Sequence, residues 1–560
     1  MTAPTFRRSP WLWASWLLRF AAAFFLLNLL FTFENRWPGL GVLYMPRLSF
    51  EFCLVVLALL GWVAWRGGLS ARAASALAVA LLWCGALRYV DVTAAAVFGR
   101  PLNLYWDGHH AAEVLHLALQ PVAWWQVAAT LVLGLLSVYA VYRLARRAVS
   151  TLAECLAWRT PQPVLLLAGL ALTLSFVSYQ PAGRDTRWYF SLPLSPTLAR
   201  QVALLPAALW PASGDAVLSP SPAFTGNLSR LQGADVLLLF AESYGMTSFD
   251  DPAKAGALQS AREQFAQAVR ASGRSVVSAR VGSPTFGGAS WLSHAGLLSG
   301  VDTRDPHHND LLLRSERPTL VGHFARHGYR TVGWMPGLQR PWPEGSFYGF
   351  DRIADVNGIG YAGPAFGYWR VPDQAAMALL HAQELAGPLA ERAPRFIVFP
   401  TLNTHAPFRP LPPHLEDGSR AARADAYTSA QHTAALAAEV SWSEVATPYL
   451  ESLRYQFAWL GGYLSQRAPR KLVLIVVGDH QPFAAVSGPN ASWDVPVHVI
   501  CDDPVLLQRF IERGFTPGLQ PPAASLGPMR ALTPLLLEVF DDPGAAGPQV
   551  RTQQHTKGEG

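Results

Sequence analysis

Cysteine is scarce in this 560-residue chain, and the scarcity excludes two common kinds of domain. The four cysteines stand at positions 53, 84, 155 and 501. Only Cys501 lies outside the apolar N-terminal region, so no disulfide framework is available to the remainder of the chain. Cys-x-x-Cys and zinc-finger spacings are also missing, so the chain has no cysteine-ligated zinc domain.

Charged residues are scarce as well. They make up 15% of the chain against 51% for hydrophobic residues, a balance that is unusual for a wholly soluble protein. The net charge of +6 could suggest a nucleic-acid partner. The arginines, however, lie beside apolar runs instead of forming a continuous basic stripe. We therefore expect no nucleic-acid partner and expect a membrane instead.

Most of the apolar excess lies in the first 180 residues. Five apolar runs there are each near the length needed to cross a bilayer core of about 30 Å. They are Trp11–Phe33, Phe50–Trp65, Ala73–Tyr89, Val122–Tyr142 and Pro163–Tyr179. The arginines concentrate before the first run, between the second and third, and between the fourth and fifth, which predicts that these loops are cytoplasmic. Five spans would then deliver everything after Tyr179 outside the cytoplasm, as in a multi-pass protein of a bacterial-type inner membrane.

The remainder of the chain divides into three further segments. Residues 181–233 are rich in Pro, Ser and Ala and indicate a linker, in which Ser195–Trp210 is expected to form a helix along the membrane surface or on the next domain. Residues 234–542 form the next predicted domain. Residues 543–560 are rich in Gly, Gln and Pro and are expected to be a disordered tail.

From Ala234 onward, short apolar strands alternate with helical stretches. This alternation predicts an α/β domain whose central sheet is mostly parallel and is covered by helices on both faces. The predicted strands are Asp235–Phe240, Ser275–Val281, Tyr329–Trp334, Arg395–Pro400, Lys471–Val477 and Val495–Cys501. The fold class is thus a bundle of about five transmembrane helices followed by an extracytoplasmic α/β domain.

Two of these strands end in acidic residues. The run Lys471–Val477 is followed by Gly478, Asp479 and His480, and Glu242 follows the first strand of the domain. Open α/β sheets bind ligands at the carboxyl ends of their strands, and carboxylate and imidazole are good ligands for a divalent cation. The pattern predicts a metal site, although an acid after a strand is also a common helix cap.

Two other loops carry candidate residues. The pair Gly287–Gly288 precedes Ser290, which would open a helix whose N-terminal amides favour an anion. Ser290 could be a nucleophile, or could simply cap the helix. His405 follows another strand and could donate a proton or contact a phosphate, although many lone histidines are structural.

The order of these motifs resembles the sulfatase and alkaline phosphatase superfamily. Within it, five N-terminal spans before an extracytoplasmic domain are similar to the lipoteichoic acid synthase type of phosphoglycerol transferase. The resemblance implies one divalent cation, usually Mn²⁺ in that branch, with Zn²⁺ or Mg²⁺ as alternatives. It also implies Glu242, Asp479, His480 and the Ser290 oxygen as metal ligands, Ser290 as nucleophile and His405 as the second catalytic residue.

One segment departs from the family pattern. Relatives carry a Trp and, two positions later, an Arg that holds the phosphate; here Trp342 fits, but Glu344 occupies the place of the arginine. Arg340 could substitute from the other side. The resemblance thus implies Trp342 and Arg340 as substrate-binding residues.

Three functions stay open on the sequence. The first is a membrane-anchored transferase that moves a phosphoglycerol-like headgroup from a phospholipid donor to a glycan or lipid acceptor. The second is a cell-surface hydrolase of phosphate or sulfate esters, although the one segment that matches the formylglycine pattern of sulfatases, Cys155–Arg159, precedes Glu242 instead of following it. The third is a catalytically inactive membrane sensor or scaffold.

Overall fold

The computed structural model of the chain describes residues 10–36, 39–101, 103–104, 107–108, 123–179, 189–209, 218–367, 369–387, 392–438, 444–465 and 471–542. It contains two compact units, Met1–Pro211 and Ala212–Gly560. We call them the membrane unit and the α/β unit. The predicted tail at 543–560 lies outside the described residues.

Helices dominate the membrane unit. Each of the five apolar runs coincides with a helix, and a sixth helix coincides with the predicted linker helix. They are α1 (Pro10–Asn28), α2 (Phe50–Arg66), α3 (Ala71–Phe98), α4 (Trp124–Leu156), α5 (Gln162–Tyr179) and α6 (Ser195–Leu209). Among the described residues, α1, α3 and α4 are long and apolar enough to cross a membrane. Because α2 and α5 are shorter, the count of five spans stays a prediction.

The lipid-facing character of the longest helix, α4, is visible in its exposure. Leu133, Leu135 and Val138 are 64%, 71% and 65% exposed. Contiguous apolar exposure of this kind is rare on a soluble monomer and is expected of a helix surrounded by hydrocarbon. The opposite trend holds in its last turns, where Val149 and Leu152 are buried against α1, α2 and α3.

A carboxylate of α2 holds the start of α6. Glu51 Oε1 accepts hydrogen bonds from the backbone N–H of Leu194 at 2.6 Å and of Ser195 at 2.9 Å. These N–H groups have no partner within the helix because they lie at its N-terminus. The contact fixes where α6 begins, whereas its position at a membrane surface stays a prediction.

The α/β unit is built on one eight-stranded sheet. Its strands are β3 (Asp235–Ala241), β4 (Ser275–Gly282), β5 (Arg330–Trp334), β6 (Arg352–Ala354), β7 (Arg395–Pro400), β8 (Leu472–Gly478), β9 (Asp494–Cys501) and β10 (Thr516–Pro517), after a two-stranded hairpin of β1 (Phe33–Asn35) and β2 (Val42–Tyr44) in the membrane unit. The order in the sheet is β10-β4-β9-β8-β3-β7-β5-β6. The pairs β8–β3, β3–β7, β7–β5 and β5–β6 are parallel, and the pairs involving β9 or β10 are antiparallel. The prediction of a mostly parallel sheet is confirmed.

Helices cover both faces of this sheet. Those with at least seven residues are α7 (Pro252–Ala271), α8 (Ser290–Ser299), α9 (Pro306–Leu313), α10 (Leu320–Arg326), α11 (Asp373–Leu380), α12 (Ser429–Leu436), α13 (Ala446–Leu464), α14 (Pro504–Ile511) and α15 (Leu532–Phe540). Successive residues of a strand point to opposite faces, and β3 follows this rule. Leu237 and Leu239 pack with α7, α11 and α13, and Leu238 and Phe240 pack with α8, α10 and α15.

The register of β3 and β8 places the two acidic strand ends side by side. Both strands are buried along their whole length, so a slip of one residue would move every side chain to the opposite face and disrupt the packing on both faces. Ala241 is paired with Gly478. Glu242 and Asp479 therefore leave the sheet next to each other at its carboxyl edge.

Candidate metal and nucleophile site

Ser290 is the first residue of α8, and a strained turn delivers it there. The preceding Ala289 has a φ of 60°, and Gly287 and Gly288 have φ values of 66° and 141°. The value at Gly288 lies in a region that L side chains rarely adopt, so glycine is required there. Thr285 Oγ1 donates a hydrogen bond to the carbonyl of Gly288 at 2.7 Å and holds the turn closed. The sequence predicted this helix start from the glycine pair.

Glu242 is held in a turn directly after β3. Its backbone N–H donates to Thr401 Oγ1 at 3.1 Å, which ties it to the end of the neighbouring strand β7. The next residue, Ser243, has a φ of 53°. Ser243 Oγ donates to Glu242 Oε1 at 2.9 Å, and Ser243 N–H donates to Asp479 Oδ1 at 2.8 Å. One serine thus orients both acids.

The pair Asp479–His480 follows β8 through a glycine that no other residue could replace. A Cβ built on Gly478 would lie 1.9 Å from the carbonyl oxygen of Tyr244. His480 Nδ1 donates to the carbonyl of Gln481 at 2.7 Å, which leaves Nε2 to face the acids. A hydrogen bond on one ring nitrogen is the usual way in which the other is made available to a metal.

These residues form one compact cluster. Ligand atoms of Glu242, Asp479 and His480 all lie within 4.8 Å of one another, and the three residues are only 7%, 1% and 1% exposed. Ser290 Oγ lies 3.0 Å from Glu242 Oε2 and 3.1 Å from His480 Nε2. The structure therefore brings together all four residues that the sequence proposed as metal ligands.

The donor set fits a divalent cation. Among the described residues, no ion pair connects Glu242 or Asp479 to a lysine or an arginine; His480 Nε2, at 3.4 Å from Glu242 and 3.8 Å from Asp479, is the one ion-pair contact. Two adjacent buried carboxylates without a lysine or arginine partner lower the stability of the fold unless a cation neutralises them. Two oxygens and one imidazole nitrogen suit Mn²⁺, Zn²⁺ and Mg²⁺ to different degrees.

The pKa values in the cluster are shifted because the two carboxylates have too little positive charge near them. Burial and the charge of Glu242 raise the pKa of Asp479 well above its usual value. The pKa of Glu242 is lowered in spite of its burial, because the imidazolium of His480 attracts its charge. Burial alone would lower the pKa of His480, but Asp479 and Glu242 raise it to about 9. Without a cation, protons hold the cluster near neutrality.

His405 lies close to this cluster. Its charge contributes to lowering the pKa of Glu242, which requires the two side chains to be near each other. His405 Nδ1 bonds to the carbonyl of Ala406 at 2.7 Å. Its Nε2 is therefore the nitrogen left for a substrate.

Trp342 and Arg340 are not brought to the cluster by any contact among the described residues. The ring of Trp342 packs on Tyr348 with centroids 5.5 Å apart, and a Cβ on Gly345 would lie 2.6 Å from it. Arg340 and Glu344 are exposed. Their proposed role in substrate binding thus stays a prediction from the resemblance.

Sequence reasoning missed four residues of this region. Ser243 links the two acids, and Asp373 accepts hydrogen bonds in the loop that carries His405. His294 lies one helical turn beyond Ser290, packs on Phe240 at 4.2 Å, and has a buried Nε2 without a hydrogen-bond partner.

The fourth missed residue is Trp369, which packs on His405. A serine directly after Glu242 was a local signal that could have been used. Nothing local marks Asp373 or Trp369, because their partners are remote in the sequence.

Comparison with known proteins gives structural matches only. No protein-family model and no curated protein matches the sequence. Three of the solved structures that match belong to an alkaline phosphatase superfamily protein from Vibrio parahaemolyticus, the lipoteichoic acid synthase LtaP from Listeria monocytogenes and the phosphoglycerol transferase GacH from Streptococcus pyogenes. The last of these holds sn-glycerol-1-phosphate.

All three matches are remote. The Vibrio protein is 15% identical with a TM-score of 0.36, over 61% of this chain and 75% of that one. The Listeria protein is 11% identical with a TM-score of 0.30, over 48% and 65%. The Streptococcus protein is 10% identical with a TM-score of 0.32, over 56% and 86%. Similarity at this level does not transfer an activity, so the functional conclusion depends on the geometry of the site.

Proposed function

We propose that this protein is a membrane-anchored, metal-dependent phosphotransferase. It moves a phosphoglycerol-like headgroup from a phospholipid to an envelope acceptor, a glycan or a lipid, through a covalent phospho-Ser290 intermediate. The α/β unit acts outside the cytoplasm of a bacterial-type cell, close to the membrane that supplies the donor. The membrane unit keeps it there.

The observation that carries the proposal is the position of Ser290 Oγ. It lies 3.0 Å from Glu242 Oε2 and 3.1 Å from His480 Nε2, at the N-terminus of α8. A hydroxyl that merely capped the helix would bond to backbone N–H groups in the first turn. Ser290 instead directs its oxygen toward the candidate metal ligands, as an activated nucleophile requires.

A divalent cation held by Glu242, Asp479 and His480 would lower the pKa of the Ser290 hydroxyl and withdraw charge from a phosphate oxygen. Ser290 Oγ attacks the phosphorus of the donor, so that the P–Oγ bond forms and the bond from phosphorus to the diacylglycerol oxygen breaks. The proton of Ser290 passes to Glu242 Oε2, which already accepts its hydrogen bond, and it returns from there when Ser290 is released. The products of this half-reaction are Ser290 carrying the phosphoglycerol group and diacylglycerol.

His405 serves the leaving and entering oxygens. Its Nε2 protonates the diacylglycerol oxygen as that oxygen departs. In the second half-reaction Nε2 takes the proton of the acceptor hydroxyl, which attacks phosphorus and breaks the bond to Ser290. Ser290 regains its proton, and the headgroup leaves on the acceptor.

Two features favour transfer over the alternatives from the sequence. The candidate spans α1, α3 and α4 give the chain an affinity for lipid that the hydrolysis of soluble esters does not need. The buried acids and His480 retain an arrangement that costs stability without a cation, and a pure scaffold would have no use for it. The segment that matches the formylglycine pattern lies in the membrane unit, where Cys155 is buried. We assign it no role at the candidate site.

The test is a transfer assay with the full-length protein in proteoliposomes. Fluorescent phosphatidylglycerol is the donor, with phosphatidylethanolamine vesicles as a second donor. With Mn²⁺ present, we expect labelled diacylglycerol to appear, and intact-protein mass spectrometry to detect one phosphoglycerol group on Ser290. A chelator should stop both.

Ser290→Ala is expected to abolish the covalent adduct and lower turnover at least 10³-fold, since the step that it removes is worth several kcal/mol. The matched control is Ser299→Ala at the other end of α8, which should keep wild-type turnover per folded molecule. Release of free glycerol phosphate at full rate without an acceptor would favour a hydrolase. Full biological activity of Ser290→Ala would support the scaffold.

A further inference from the structure

Trp369 forms a wall of the candidate site beside His405. The indole meets the imidazole edge-on, with ring centroids 5.0 Å apart and planes at 68°. The ring lies where the loops after β5 and β7 come together. A Cβ on Gly337 would approach it to 3.3 Å and would approach Leu402 to 2.8 Å. A larger residue at position 337 would have to displace the Leu402 side chain that packs there.

The segment that carries Trp369 is fixed from two sides. Upstream, Phe366 packs on Tyr427 with centroids 4.9 Å apart, and His432 Nε2 bonds to the carbonyl of Ala365 at 2.9 Å. A Cβ on Gly367 would lie 2.7 Å from Pro410. Such close packing leaves little freedom for the segment.

Downstream, Asp373 ties the same segment to the His405 loop. Its carboxylate accepts hydrogen bonds from the N–H of Leu402 at 2.7 Å and of Asn403 at 2.8 Å. The N–H of Asp373 donates to Asn403 Oδ1 at 2.7 Å. Asp373 is fully buried. Trp369 and His405 are therefore held at a fixed separation by the chain on either side of them.

Arg370 directly follows Trp369 and has no acid to neutralise it among the described residues. Its one hydrogen bond there is from Nη2 to the carbonyl of Tyr361 at 3.5 Å, the outer limit for such a bond. Neighbouring arginines are paired: Arg409 with Glu451 and Arg423 with Asp425. An exposed guanidinium with unused donors, one residue after the indole that contacts His405, is suited to bind a phosphate.

We infer that Trp369 and Arg370 form the surface that binds the phosphorylated headgroup of the donor. This inference rests on the proposed function and takes the place of the Arg340 and Trp342 pair expected from the sequence. Arg370 binds the phosphate oxygens, and the indole of Trp369 covers the apolar edge of the glycerol unit while it holds the His405 ring in place. Trp342 makes its contacts with Tyr348 instead.

The test measures headgroup binding apart from turnover. Full-length protein in detergent with Mn²⁺ is titrated calorimetrically with glycerol phosphate and, separately, with inorganic phosphate. We expect Arg370→Ala to lower the affinity for glycerol phosphate at least tenfold. Arg370→Lys should lower it less, because lysine keeps the charge and loses the bidentate geometry. If the affinity for inorganic phosphate falls by the same factor, the arginine recognises the phosphate alone.

The control is Arg270→Ala, an exposed arginine at the end of α7, which should leave binding unchanged. Because Arg370 is exposed, its variants should also keep the wild-type melting temperature. In the transfer assay Arg370→Ala should raise KM for the donor while kcat changes little, and Trp369→Ala should lower kcat because His405 loses its support.

Wild-type affinity in Arg370→Ala, or a tenfold loss in Arg340→Ala instead, would overturn the inference and leave the proposed function standing. Failure of the wild-type protein to bind glycerol phosphate would overturn it too. A wild-type protein that transfers nothing, but binds glycerol phosphate through Arg370, would refute the transferase and keep the binding surface.

Discussion

Acidic side chains are buried at both ends of the strands of the central sheet, but their partners differ. We call the end at which the parallel strands begin the amino edge and the end at which they finish the carboxyl edge. At the amino edge, Glu384 accepts hydrogen bonds from Arg330, Arg352 and Arg395 at 2.8 to 3.3 Å. Asp235 there pairs with Arg392 at 2.8 Å. At the carboxyl edge, His480 is the one ion-pair partner of Glu242 and Asp479 among the described residues.

The difference separates a structural cluster from a candidate functional one. Hydrogen bonds from Arg330 and Arg352 overcome burial and lower the pKa of Glu384, so the amino edge needs nothing from outside the chain. The carboxyl edge is balanced only by protons or by a cation. Burial of charge by itself therefore does not indicate function; burial without a partner of opposite charge does.

The largest effect should come from removing an acid of the carboxyl edge. Glu242→Gln is expected to lower transfer on the order of 10³-fold, because the cation site loses an anionic ligand worth several kcal/mol in the transition state. Melting of the metal-free protein should change little or rise. Calorimetric titration with Mn²⁺ measures the lost affinity, and unchanged affinity would remove Glu242 from the site.

The matched change at the amino edge should do the reverse. Glu384→Gln leaves three arginines without their acid, at a cost of about 3 kcal/mol, the low end for a buried pair because Arg330 reaches solvent. The melting temperature of the full-length protein should fall by roughly 5 °C or more. Mn²⁺ affinity and turnover per folded molecule should stay at wild-type values; a loss of Mn²⁺ affinity would break the comparison.

Metal binding at the carboxyl edge should depend on pH. Since the pKa of His480 is raised to about 9, a cation must displace its proton at lower pH. Affinity for Mn²⁺ should therefore rise with pH up to about 9, close to tenfold per pH unit for each proton displaced. Titrations at several pH values, in buffers of different ionisation enthalpy, count the released protons. An affinity independent of pH would contradict the charge balance described for the cluster.

The smallest effect concerns Asp373. Burial raises its pKa from 3.8 to about 7, so the folded chain retains a proton that the unfolded chain releases in this range. This contribution to stability is complete below pH 3.8 and is lost as pH rises toward 7. Asp373→Asn cannot titrate, so its melting temperature should fall less than that of wild type between pH 5 and 7.

The same variant loses one hydrogen bond to the His405 loop, about 1 kcal/mol. Its melting temperature at pH 5 should therefore be a few degrees lower than that of wild type. Melting temperatures of the two proteins that change in parallel across the whole pH range would show that folding does not raise the pKa of Asp373.

Strands β3 and β8 show which features could be predicted from the sequence. Their continuous apolar runs predicted buried strands, and the polar residue after each run predicted a site at the carboxyl edge. The approach of Ser243 to Asp479, 236 positions apart, follows from strand pairing that no local pattern specifies. The short edge strands β6 and β10 were not predicted, because three and two residues leave no readable alternation.

The segment predicted to bind substrate, around Arg340 and Trp342, is a different case, because no contact among the described residues tests that prediction. Local resemblance selected Trp342 and Arg340 because an aromatic and a basic residue stood at nearly the right spacing. In the structure, Trp342 packs on Tyr348, and Trp369 is the indole that contacts His405. Which Trp and Arg lie near His405, Trp342 with Arg340 or Trp369 with Arg370, depends on how the loops of the sheet pack against one another.

The sequence alone determined what depends on neighbours along the chain: the apolar helices, the strands, the glycine turn before Ser290 and the kinds of side chain placed at strand ends. Tertiary structure decided what depends on neighbours in space: which acids lie together beside His480, which are neutralised by arginines, and which tryptophan contacts His405. The physical reason is that backbone propensity and hydrophobic period act over a few residues, whereas charge compensation and close packing act between surfaces that only folding brings together.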